Sequence, residues 1–214
     1  MRADESDVAP LSVAVLAGGR SSRMGTDKAL LRLRDDGPPL LGLVLAAVRP
    51  LTDDAFVVAS GRPVYAEFGA RVVPDVAGDA GTLTGIATAL RAARYDAVLV
   101  VACDMPFLSL PLLDWMWRRD RDYDVLVPRL QGESRQGGQL VYQTLHAIYR
   151  TTCLAPIERS IAGQQRRVIG FFADVTVAPI EEAQVRELDP DLRSFFNANT
   201  PESLAIARNL ATTS

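Results

Sequence analysis

Ala97 to Cys103 (AVLVVAC) carries no polar side chain, and this run narrows the possible folds more than any other segment. It falls far short of the ~20 residues that cross a bilayer, and it lacks the alternation of a strand with one wet face. It reads as a central strand buried on both faces, which requires helices on either side of a sheet. The remaining chain supplies matching pieces. Ser12 to Ala17, Ala55 to Ala59, Arg71 to Val73 and Val125 to Val127 read as strands. Leu40 to Arg49, Thr84 to Arg94 and Leu110 to Arg119 read as helices, with a short one at Tyr65 to Phe68. Arg129 to Gln139 is polar and glycine-rich and reads as a loop. Beyond it are a strand at Leu140 to Tyr142, helical patterns at Thr144 to Tyr149 and Pro156 to Ala162, and strands near Val168 to Phe172 and Val175 to Val177. A last helix starts with Thr200 as N-cap, Pro201 at the first position and Glu202 in the first turn. Alternating strands and helices imply a three-layer α/β/α domain with a mainly parallel sheet. No repeat or linker divides residues 1–214, so a single domain is expected, with residues 1–10 and 211–214 fraying.

Charge excludes some functions. Lys and Arg number 23 against 26 Asp and Glu, a net charge of −3, which is a poor footprint for duplex nucleic acid. A small anionic ligand needs only a local cluster of positive charge. Met1 to Pro10 holds three acids and no basic n-region, so neither a signal peptide nor a membrane span is expected, and a cytoplasmic location is the default. Cys103 and Cys153 are too few for a disulfide framework or a zinc site.

The segment with most chemical content is Leu16 to Leu30 (LAGGRSSRMGTDKAL). Two glycines directly after a strand allow a sharp turn and close approach of backbone to a ligand, while loop amides offer donors to an anion. Arg20, Arg23 and Lys28 add positive charge, so the stretch suits phosphate. It is not a dinucleotide fingerprint, because GxGxxG is absent. Nor is it a P-loop, because the glycine spacing is one residue too long and Lys28 does not follow the second glycine.

This pattern resembles the molybdenum cofactor guanylyltransferases, members of the nucleotidyltransferase superfamily with a Rossmann-like, glycosyltransferase-A-like fold. Leu16, Ala17, Gly18, Gly19, Ser21, Arg23, Met24, Gly25, Asp27, Lys28, Ala29 and Leu30 meet the family pattern LAGGxSxRMGxDKAL. Relatives that use cytidine nucleotides more usually carry Ala-Ala-Gly and lack the Asp-Lys pair. Further matches follow at Val73-Pro74-Asp75, Leu83-Thr84-Gly85-Ile86, Cys103-Asp104-Met105-Pro106-Phe107 and Phe196-Asn197-Ala198-Asn199-Thr200-Pro201-Glu202, so the resemblance spans Val13 to about Leu210. Two departures bear on the base. Ala59 stands where some members have Asn, so one base contact is lost or moved to Ser60, and Thr82-Leu83-Thr84-Gly85 replaces the more usual Gly-Pro-Leu-x-Gly.

The resemblance implies transfer of GMP from GTP to the phosphate of molybdopterin, with Mg²⁺ as cofactor and pyrophosphate as the second product. Asp104 stands at the end of the most apolar strand, where open α/β sheets bind ligands. A carboxylate there suits Mg²⁺, which takes oxygen ligands and substrate phosphates. The resemblance assigns Asp104 to the metal and the nucleotide phosphates, Lys28 to the phosphates and Asp75 to the nucleotide. It makes Leu16, Ala17, Gly18 and Gly19 part of the nucleotide cradle and associates Asn197 and Asn199 with the pterin or the metal. Arg23 is a catalytic candidate that could equally pair with Asp27 or another acid. A phosphate nucleophile is already ionised, which accounts for the absence of a catalytic His or Ser triad. Transient contact with cofactor-biosynthesis proteins or acceptor molybdoenzymes is a further implication. Open alternatives are a cytidylyl or sugar/alcohol-phosphate nucleotidyltransferase, a catalytically silent cofactor carrier, and a dinucleotide-binding oxidoreductase weakened by its missing fingerprint. His146 reads as a surface or partly buried structural residue on an amphipathic helix, Cys103 as a buried small hydrophobe, and Trp115 and Trp117 as packing aromatics.

Overall fold

In a computed structural model the chain is described over residues 8–17, 27–59, 63–75, 81–132 and 139–212. Its strands are β1 (Ser12–Leu16), β2 (Ala55–Ala59), β3 (Arg71–Pro74), β4 (Ala97–Ala102), β5 (Val125–Gln131), β6 (Leu140–Tyr142), β7 (His146–Arg150) and β8 (Val177–Glu181). The helices are α1 (Leu40–Val48), α2 (Thr82–Ala92), α3 (Leu110–Trp117), α4 (Leu154–Ala162), α5 (Glu182–Leu188) and α6 (Pro201–Thr212). The strands form one sheet in the order β3-β2-β1-β4-β7-β5-β6, with β8 beside β5.

Every residue of β4 is buried, as its uninterrupted apolar run requires. Side chains alternate between two clusters. Val13, Val15, Val57, Ala59, Leu99 and Val101 face α1, α3 and α5, whose Leu41, Val44, Leu112, Met116 and Val185 cover them. Ala14, Leu16, Phe56, Val58, Val98 and Val100 face the other way, under Leu83, Ile86, Ala87 and Leu90 of α2 and Ile157 of α4. Each fully buried Val, Leu or Ile contributes about 1.5–3 kcal/mol relative to exposure, so the three layers are held from both faces of the sheet. A smaller cluster joins Leu33 and Leu40 to Ala198, Leu204 and Ala207, clasping α6 to the segment before α1.

Helix ends follow local chemistry. The Ser109 hydroxyl accepts from the Leu112 amide at 3.4 Å at the start of α3. Glu181 and Gln184 close a capping box on α5. Thr200 caps α6 as expected, its hydroxyl accepting from the Ser203 amide at 3.1 Å, and that helix stays regular to Thr212, beyond where fraying was expected.

Several segments differ from the sequence reading. Thr144 to Tyr149 is not helical: His146–Arg150 pairs antiparallel with β4, Val101 opposite His146 and Ala97 opposite Arg150. Five residues are too few for periodicity to separate strand from helix, and the open edge of β4 decides. Val168–Asp174 is a 3₁₀ turn rather than a strand, its Phe171 buried beneath the sheet. The expected loop from Arg129 begins later, because β5 continues to Gln131 and pairs with β6. The sheet is therefore mixed. Pairs β1–β2, β1–β4, β2–β3 and β5–β8 are parallel, and β4–β7, β5–β7 and β5–β6 are antiparallel.

Candidate functional site

The strand order places a switch point at β1. The chain leaves β1 outward to β2 and β3, then returns to the other side of β1 as β4. Ligands in open α/β sheets bind outside the carboxyl ends of strands at such a point, where the loops diverge and leave a crevice. The backbone is stitched together there. The Ala17 amide donates to the Val58 carbonyl at 2.9 Å, the Cys103 amide to the Leu16 carbonyl at 3.1 Å and the Asp75 amide to the Ala59 carbonyl at 3.1 Å. Leu16, Ala17, Asp75 and Asp104 thus share one rim.

Asp104 follows β4 in a tight turn. Burial pushes its carboxyl above the usual range, and the nearby charge of Lys28 pulls partly back. Cys103 senses the same cluster: burial raises its thiol most, Asp104 and then Asp27 push it further, and Lys28 opposes them. It is buried, as its sequence context suggested. Lys28 opens a 3₁₀ turn, Lys28–Leu30, capped by Asp27, whose carboxylate accepts from the Ala29 amide at 3.2 Å. The Asp27 carboxylate also accepts from the Tyr65 hydroxyl, at 2.8 Å to each oxygen.

Asp75 is held by the Thr88 hydroxyl, which donates to it at 3.3 Å from α2. Gly85 on the same helix lets α2 lie close to β1: a Cβ there would stand 3.1 Å from the Leu16 side chain.

The second wall comes from the far end of the sequence. The Ala198 amide donates to the Asp104 carbonyl at 2.9 Å, so the segment around Asn197 is fixed beside the candidate metal ligand. Asn197 itself lines a cavity of about 760 Å³ together with Gln131, Gln143, Arg193, Phe195 and Phe196. That volume lies in the range of small-molecule pockets, and amides with aromatic rings suit a flat heteroaromatic ligand. Asn199 is exposed and does not line this cavity. The segment is braced from below. The Ser194 amide donates to Asp189 at 2.9 Å and its hydroxyl accepts from the Ser109 amide at 2.7 Å, while Phe195 packs on His146 with ring centroids 4.7 Å apart.

His146 is fully buried, neither on a helix nor near the surface as its sequence context suggested. Trp115 and Trp117, on α3, pack against the core as expected. Gly18, Gly19 and Arg23 lie outside the described residues. Sequence reasoning missed Tyr65, Thr88 and the Asp104–Ala198 link. Each is a polar contact between segments distant in sequence, and only the fold brings them together.

Among the described residues no group of three or more His, Cys, Asp and Glu side chains could hold a metal ion, and no helix is long and apolar enough to cross a membrane. A single carboxylate completed by substrate phosphates is, however, a common way to hold Mg²⁺.

Residues 13–176 match the MobA-like NTP transferase domain. A curated protein of Pelotomaculum thermopropionicum, named a probable molybdenum cofactor guanylyltransferase, is 36% identical over 197 residues, covering 92% of this chain and 91% of its own length. A protein of Desulfosudis oleivorans named molybdenum cofactor guanylyltransferase is 32% identical over 191 residues, 89% of this chain and 90% of its own. Among solved structures, molybdopterin-guanine dinucleotide biosynthesis protein A from Archaeoglobus fulgidus superposes with a TM-score of 0.79 at 26% identity, covering 95% of this chain and all of that one. The 2-C-methyl-D-erythritol 4-phosphate cytidylyltransferase of Thermus thermophilus, at 22% identity and a TM-score of 0.68 over 95% of this chain and 99% of its own, shares the fold.

Proposed function

The chain belongs to the MobA-like NTP transferase family, and from that premise we propose that it transfers GMP from GTP to the phosphate of molybdopterin, giving the guanine dinucleotide cofactor and pyrophosphate. The observation that carries this reading is the meeting of Asp104, Lys28 and the Asn197–Ala198 segment at the β1/β4 switch point. A triphosphate at the rim and a pterin in the neighbouring cavity would then be joined at Asp104.

In the proposed reaction a phosphate oxygen of molybdopterin attacks the α-phosphorus of GTP in line, a P–O bond forms, and the bond to the pyrophosphate oxygen breaks. The nucleophile is ionised at neutral pH, so the demand on the protein is to position two polyanions and offset charge on the α-phosphate and leaving group. Lys28 contributes a positive charge near Asp104. Gly18, Gly19 and Arg23 complete the cradle in this proposal. Asp75, steadied by Thr88, accepts from nucleotide hydroxyl or base donors. Asn197 serves the pterin side.

Asp104 fits Mg²⁺: its carboxylate is partly buried, has the charge of Lys28 nearby, and sits where phosphates would supply the remaining oxygens. Mg²⁺ bound there would screen the phosphate charges. Cytoplasmic residence and transient contacts with cofactor-biosynthesis proteins or acceptor molybdoenzymes belong to the same proposal.

The test is calorimetric titration of the purified chain with GTP, CTP, ATP and UTP, with and without Mg²⁺, followed by transfer assays with molybdopterin. Mg²⁺-dependent preference for GTP and formation of the guanine dinucleotide are expected. Preference for CTP would reassign the base, and binding without transfer would favour a carrier.

A further inference from the structure

Asp27 stands beside Lys28 and near Asp104, where a second carboxylate invites assignment as another metal ligand or a base. Its hydrogen bonds argue otherwise. Both carboxylate oxygens accept from the Tyr65 hydroxyl at 2.8 Å, and Oδ1 also accepts from the Ala29 amide at 3.2 Å. Tyr65 is 1% exposed, its ring set in the core cluster with Ala29, Val57 and Ala59. A tyrosine buried to its hydroxyl is a rigid post, because its two side-chain torsions are fixed by packing. The Lys28 amide and side chain follow directly from the residue this post holds. The short turn Lys28–Leu30 has little stability of its own, since turns of this length gain few hydrogen bonds against the entropy of ordering them.

We propose that Tyr65 is a positioning residue for the transfer reaction: its buried hydroxyl holds Asp27 as the cap of the Lys28–Leu30 turn and so sets the ammonium of Lys28 toward the phosphate site at Asp104. Asp27 is thereby the middle of a strut. The inference rests on the reading of Lys28 as a phosphate-binding residue. It adds a function to a residue far from the glycine loop in sequence.

Tyr65→Phe tests this, because it keeps the buried ring and deletes only the hydroxyl. The expected result is a fall in kcat of about tenfold, the factor that loss of one hydrogen bond to a charged acceptor carries, with the KM for molybdopterin unchanged. Asp27→Ala, which leaves the core untouched, should reproduce the loss, and Asp27→Asn, which still accepts and caps, should recover most of it. The decisive measurement is the Tyr65→Phe, Lys28→Ala double variant. If Tyr65 acts through Lys28, adding Tyr65→Phe to Lys28→Ala costs no further activity. Losses that multiply would overturn the proposal, as would wild-type kinetics in Tyr65→Phe and Asp27→Ala. Should Tyr65→Phe fail to fold, the Asp27→Ala, Lys28→Ala pair gives the same comparison. Wild-type turnover in the same series separates the failures: a wild type that transfers GMP beside unaltered variants sinks the strut alone, whereas one without transfer fails the functional reading and takes the strut with it.

Discussion

His146 should make this fold acid-sensitive by an amount that can be worked out. The imidazole is fully buried, and neither ring nitrogen has a hydrogen-bond partner among the described residues. Burial lowers its pKa from the ordinary 6.5 to about 3. The folded chain therefore favours neutral imidazole, and below pH 6.5 the unfolded chain takes up a proton that the folded one refuses. Stability from this group is fully present above 6.5 and is lost as pH falls towards 3. For values of 6.5 and about 3, the loss between pH 7 and pH 4.5 is about 2.5 kcal/mol. His146→Phe keeps a ring against Phe195 and removes both the titration and the unpaired nitrogens. At pH 7 it should gain about 1–3 kcal/mol, the cost of an unsatisfied buried polar group. Urea unfolding of both proteins at pH 7 and pH 4.5 makes the comparison. The wild type should lose about 2.5 kcal/mol more than the variant on acidification. Equal losses would refute the reasoning and show that His146 has a proton partner or is open to water. Should the larger ring overpack, His146→Leu gives the same difference between the two pH values.

Other substitutions probe the site itself. Asp104→Asn should reduce transfer by at least about a hundredfold with its circular dichroism unchanged, and its thermal midpoint should hold or rise, because burial disfavours the charge it removes; wild-type-like turnover would dismiss the metal assignment. For the same reason Asp104 of the metal-free chain should hold its proton above the ordinary carboxylate value of 3.8, and Mg²⁺ binding followed against pH would reveal it. Lys28→Ala should lower kcat by about a hundredfold and weaken triphosphate binding in calorimetry. Asn197→Ala should raise the KM for molybdopterin by about tenfold, as expected for one lost hydrogen-bonding group at a buried site, while GTP affinity stays the same; the reverse pattern would move the pterin elsewhere.

The parallel half of the sheet was legible because its strands declare themselves through composition. Ser12–Leu16, Ala55–Ala59 and Ala97–Ala102 are apolar on both faces, and no other element needs that. The position of Asp104 was legible for the same reason, as the first acidic residue after the most buried strand. The antiparallel half was harder. His146–Arg150 has too few residues for its period to show, and what makes it a strand is the open edge of β4. Val177–Glu181 contains Pro179, which argues against a strand, yet it pairs with β5, and the helix that follows was missed with it. Within the site, residues inside contiguous motifs could be read directly. Tyr65, Thr88 and the Ala198 amide could not, because a single hydrogen bond between distant segments leaves no periodic or compositional trace.

The bond from the Ala198 amide to the Asp104 carbonyl also sets a timetable for biosynthesis. A nascent chain on the ribosome can pair β1 to β4 once Ala102 has emerged, yet the wall beside Asp104 is missing until Ala198 leaves the exit tunnel. Leu204 and Ala207 must follow before Leu33 and, at the start of α1, Leu40 are covered. Translation thus delivers β1, β2 and β4 early and the Ala198 segment late, so a chain released before Ala198 would lack the wall beside Asp104.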